Sequence, residues 1–145
     1  MPRLMSTEEY ARSYDRCAER LYRFALYVLG DARQAESAVS SAFASGLQTC
    51  PPLKGDDTFL EEMLRLVCGA CECSVPLEGD SYADGIRRAV AGDCEESLLR
   101  VLASKPCHRR AVLILNALFG CDTTALQRIL SAKSGRPVSA AAIPV

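Results

Sequence analysis

Residues 21–46 read LYRFALYVLGDARQAESAVSSAFASG, and the spacing of their apolar side chains decides the fold. Running into and through this stretch, Tyr14, Cys17, Ala18, Leu21, Phe24, Ala25, Val28 and Leu29 recur in steps of three and four. That periodicity lays them on one face of an α-helix. Gly30 ends the helix, because glycine enters the left-handed backbone of a C-cap without strain. Asp31 restarts it, since its carboxylate accepts the unpaired N–H groups of a first helical turn. The second helix gathers Ala35, Ala38, Val39, Ala42 and Phe43 on one side. Gly46 and Pro51-Pro52 are expected to close it.

The same logic extends in both directions. Ser6-Thr7-Glu8-Glu9 combines a capping hydroxyl with early acids that suit the helix dipole. After the turn-rich CPPLKGDD of residues 50–57, Asp57 or Thr58 caps a third helix with Phe59, Met63, Leu66 and Val67 along one side. Residues 74–93 hold Pro76, Gly79, Gly85 and Gly92 among scattered charges and read as a linker, with a short helix at 83–91. Beyond it, Leu98, Leu99 and Leu102 define one helix. Pro106 opens another, with Val112, Leu113, Leu115 and Leu118 inward and Gly120 at its end. Asp122 or Thr123 caps a last one carrying Leu126, Ile129 and Leu130 before Gly135 and Pro137. No β-pattern competes. The expected fold is all-α, with two small helical domains at residues 1–74 and 94–145 joined by a linker at 75–93. The second domain has the layout of a helix-turn-helix.

Composition narrows the function. At 49% apolar residues the chain can bury a core, which argues against disorder throughout. Residues 1–93 carry ten Lys/Arg against fifteen Asp/Glu, and residues 94–145 seven against three. An acidic front and a basic back point to different partners, with a polyanion suited to the back. The first residues lack the apolar core of an export signal, and no window approaches the ~18 apolar residues of a membrane span. A soluble cytoplasmic protein with no membrane partner is expected.

One His, no phosphate-cradling glycine loop and no nucleophile elbow argue against an enzyme. Of the eight cysteines, Cys68, Cys71 and Cys73 form CGACEC, a candidate zinc cluster with Cys50, Cys94 or His108 as fourth ligand. A second pair of matching spacing is missing, and Cys also serves as a small apolar core residue. The expectation is core thiols, with no metal and no cofactor.

Two runs carry a resemblance. YDRCAERLYRFALYVLGDARQAESAVSSAF (14–43) and LLRVLASKPCHRRAVLILNALFGCDTTALQRIL (98–130) resemble the bacterial RNA polymerase sigma factors of the extracytoplasmic-function type. In the second run Pro106, Arg110, Val112, Leu115, Gly120, Leu126, Ile129 and Leu130 fall on family positions. The resemblance implies a first domain that binds the polymerase clamp and the −10 promoter element, and a helix-turn-helix that binds the −35 element. It implies core RNA polymerase and promoter DNA as partners, and an anti-sigma protein as a further one.

Carried over, the polymerase-binding positions are Arg33, Glu36, Ser40 and Ser41. The DNA-binding positions are Arg109, Arg110, Arg128, Lys133 and Arg136. The chain departs from the family at Ser40 and Ser41, where larger polar residues usually stand. It departs again in FLEEMLRLVCGACECS (59–74), which offers acids and thiols where the family has an aromatic and basic set suited to an unstacked base. Initiation at promoters is therefore weighed against an alternative: a sigma-like protein-interaction module without promoter recognition.

Overall fold

The computed structural model describes residues 6–49, 55–90 and 95–131. Among them the chain forms seven α-helices and no strand. In order these are α1 (Thr7–Leu29), α2 (Ala32–Thr49), α3 (Gly55–Cys71), α4 (Gly79–Ala89), α5 (Glu96–Ala103), α6 (Cys107–Phe119) and α7 (Thr123–Ser131). The all-α expectation holds.

Helix α1 is the axis of the core. It opens with a capping box in which Ser6 Oγ accepts from the Glu9 N–H and Glu9 Oε1 accepts from the Ser6 N–H, each at 3.1 Å. Of its apolar stripe, Cys17, Leu21, Phe24, Ala25, Val28 and Leu29 are buried, and Tyr14 and Ala18 are half-buried. Gly30 adopts φ 77° and closes the helix with its N–H on the Leu26 carbonyl. Asp31 then begins α2, its carboxylate accepting from the Arg33 N–H at 3.2 Å. The inner face of α2 is built of Ala35, Ala38, Val39 and Ala42, all buried. Short side chains there let α2 lie close to α1.

Gly46 does not end α2, which runs on to Thr49. The Tyr10 hydroxyl donates to the Phe43 carbonyl at 3.0 Å, and a Cβ on Gly46 would lie 2.0 Å from that hydroxyl oxygen. Gly46 therefore makes room for the Tyr10 side chain and is no helix stop.

Helix α3 closes the first half of the core with Phe59, Met63, Leu64, Val67 and Cys68. The segment after it is more ordered than a linker of scattered charge implies. Helix α4 starts at Gly79, four residues before the expected 83–91, and buries Tyr82, Ala83, Gly85 and Ile86. Its outward Asp80, Asp84, Arg87 and Arg88 mask this apolar pattern in the sequence.

The back helices pack onto the front ones. The rings of Phe24 in α1 and Phe119 in α6 meet edge to face, with centroids 5.9 Å apart. Leu126 and Ile129 of α7 are buried in the same cluster as the α1–α3 residues, and α7 packs on α3. Val112 and Leu115 point inward as expected. Leu118 does not, at 48% exposed; Arg110, Ala111 and Ile114 complete the inner face of α6.

Candidate functional site

Arg110 stands at the junction of these elements. Its side chain is fully buried, and Nε and Nη1 of its guanidinium find acceptors while Nη2 is buried without a hydrogen-bond partner. Nε donates to the Leu102 carbonyl at 2.9 Å, and Nη1 donates to Val28 and Leu77 carbonyls at 3.0 and 2.8 Å. Val28 and Leu102 lie in the last turns of α1 and α5, where helix carbonyls lack intrahelical donors and carry partial negative charge.

The guanidinium carbon lies 4.0 Å from the centroid of the Tyr82 ring, a cation–π contact. Burial pushes the Arg110 guanidinium below its usual value. It also pushes the Tyr82 phenol well above its own, and that hydroxyl donates to the Tyr27 carbonyl. Arg110 was expected to grip DNA phosphate. Its burial corrects that: it binds four parts of its own chain and has no surface to offer a ligand.

The polymerase-binding candidates fall together on α2. Arg33, Glu36, Ser40 and Ser41 are all exposed, while the alternating Ala35, Ala38, Val39 and Ala42 face the core. The exposed four follow helical spacing and share one side. Ser40 borders a groove of about 260 Å³ with Ala11, Tyr14, Asp15 and Phe43. Phe43 is only partly buried there, with its ring 4.6 Å from that of Tyr14.

At the start of α2, Gln34 pins the segment after α3. Its amide nitrogen donates to the Val75 carbonyl at 2.6 Å, and its amide oxygen accepts from the Val75 N–H at 2.7 Å. Leu77 completes the tie with its N–H on the Leu29 carbonyl at 2.8 Å.

The remaining basic candidates are dispersed. Arg109 and His108 are exposed on α6. Arg128 of α7 is engaged by Glu61 of α3: Nε and Nη2 donate to the two carboxylate oxygens, the second at 3.0 Å. Lys133 and Arg136 lie outside the described residues. Arg87, in the segment read as linker, bridges α4 to α5 through Glu96 at 2.8 and 3.2 Å.

Cys68 and Cys71 are buried core residues, whereas Cys73 is exposed. No cluster of three metal-ligating side chains occurs among the described residues. Cys50 and Cys94 lie outside them. Nor is any described helix long and apolar enough to cross a membrane.

Arg110, Gln34 and Glu61 are the residues that sequence reading missed in these roles. Gln34 sits inside a polar run, and its partner is 41 residues away. Glu61 and Arg128 are 67 residues apart, and only the opposite charge of the two halves hinted at such a pairing. Comparison of the chain with protein-family models, curated proteins and solved structures returned no match.

Proposed function

We propose that this chain is a sigma-like interaction module that docks on core RNA polymerase through the exposed face of α2 and does not read promoter sequence. The observation that carries the reading is the split of α2 into a buried small-residue face and an exposed Arg33, Glu36, Ser40 and Ser41 face. These are the positions that the resemblance over residues 14–43 assigns to the polymerase clamp. The order of α6, a short turn and α7 supports a helix-turn-helix of the kind that the resemblance over 98–130 implies.

The DNA side of the reading is weaker in chemistry. Base-edge recognition needs Arg, Lys, Asn or Gln delivered to a groove. Of the described candidates, Arg110 is buried and Arg128 is held by Glu61, which leaves Arg109 exposed on α6. Glu61 and Glu62 occupy α3, where the resemblance would have an aromatic and basic set. Contact with DNA is then limited to phosphates, which gives salt-sensitive, sequence-independent affinity.

Run-off transcription with purified core polymerase separates this reading from a complete initiation factor. The expected outcome is no promoter-specific transcript above core enzyme alone. A specific transcript would establish initiation instead. Reversing the two charges on α2 (Arg33→Glu with Glu36→Lys) is expected to weaken core-polymerase binding by about tenfold. Equal retention of both proteins would remove α2 as the docking face.

A further inference from the structure

The ion pair between α7 and α3 is of a particular kind. Arg128 presents two N–H groups to both oxygens of Glu61, the same planar fork with which a guanidinium grips a phosphate. It joins residues 67 apart in sequence and lies where α7 meets α3. A cleft of about 320 Å³ opens beside it, bordered by Leu60, Leu64, Phe119 and Cys121. Beneath it, Leu126 and Ile129 are buried and hold α7 in place by apolar packing. The pair itself stays at the surface, with Arg128 56% and Glu61 29% exposed. Its partners are thus able to exchange with solvent while the helix remains docked.

From this geometry we propose that Glu61 is an internal phosphate mimic: it occupies Arg128 and withholds it from the backbone of duplex nucleic acid. The inference rests on the phosphate-contact part of the reading above and is independent of polymerase docking. A duplex competes with Glu61 for the same two N–H groups. Because the pair is exposed, its release costs little, so the masking is graded and not absolute.

Three full-length proteins test this: the wild type, Glu61→Gln, and Glu61→Gln combined with Arg128→Ala. Their affinities for a short DNA duplex are measured by fluorescence anisotropy over a range of low salt concentrations. Glu61→Gln is expected to bind about fivefold more tightly, the most that an exposed ion pair withholds. Its salt dependence should steepen by about one unit of slope as one more phosphate is engaged. The double variant should lose that gain.

Equal affinity of wild type and Glu61→Gln overturns the inference. So does a gain that survives Arg128→Ala, because the added binding does not then pass through Arg128. If none of the three binds duplex at low salt, phosphate contact fails and the inference falls with it. Binding without the gain removes the inference alone.

Discussion

Replacing Arg110 with Ala is expected to cost about 3–5 kcal/mol of folding stability, the range seen when one side of a buried charged network is removed. The change deletes three charge-assisted hydrogen bonds, to Leu102, Val28 and Leu77. It removes a donor from each of these carbonyls, of which Leu102 keeps the Lys105 N–H at 3.1 Å, and empties the space over the Tyr82 ring. Domains of ordinary stability have only about 5–15 kcal/mol in total, so the variant should unfold at much lower urea than the wild type. Arg110→Lys should recover only part of the loss, because an ammonium cannot reproduce the planar fork that meets three carbonyls and a ring face. Equilibrium urea unfolding reads both variants. A loss below about 1 kcal/mol for Arg110→Ala would falsify the role given to this residue, since it would put the junction in the class of ordinary surface changes.

The second large effect belongs to Gly85. An added Cβ would lie 1.8 Å from the Gly30 carbonyl oxygen and 3.1 Å from its carbon. Both atoms are backbone, and Gly30 is itself held at φ 77° with its N–H bonded to Leu26. Neither partner is the free end of a side chain, so α4 must move away from the α1–α2 turn. Overpacking of this kind costs about 3 kcal/mol. For a chain of this length that corresponds to a fall of about 10 °C in Tm. Gly69 is the control: it lies within α3, and a Cβ there meets nothing within 4 Å. Gly69→Ala should be neutral or stabilising by about 0.5–1 kcal/mol. Equal melting temperatures for Gly85→Ala and the wild type would show that α4 does not pack against Gly30 this closely.

The parts of this fold that local spacing controls were readable in advance. The α1 stripe, the Gly30-Asp31 junction and the buried side of α2 follow from periodicity and capping chemistry over a few residues. What was not readable depends on partners far apart in the chain. Arg110 sits in a run with His108 and Arg109, and nothing local distinguishes the buried cation from its exposed neighbours. Its acceptors belong to α1, α5 and the segment before α4. Gly46 looked like a helix stop because glycine usually is one; the reason for it here is the Tyr10 hydroxyl, 36 residues earlier in sequence. Leu118 looked inward by its apolar character, but the side of α6 that faces the core is set by Arg110, Ala111 and Ile114.

The candidate site divides the same way. The exposed side of α2 followed from the same helical spacing that predicted its buried side. The restraint on Arg128 did not, because it arises only where α7 meets α3.

Direct titration of labelled protein with purified core enzyme at low salt tests the proposed binding of core RNA polymerase to the exposed face of α2. The expected result is saturable one-to-one binding that unlabelled wild-type protein displaces and the Arg33→Glu, Glu36→Lys variant displaces about tenfold less well. Absence of saturable binding, or equal displacement by the two competitors, would contradict it.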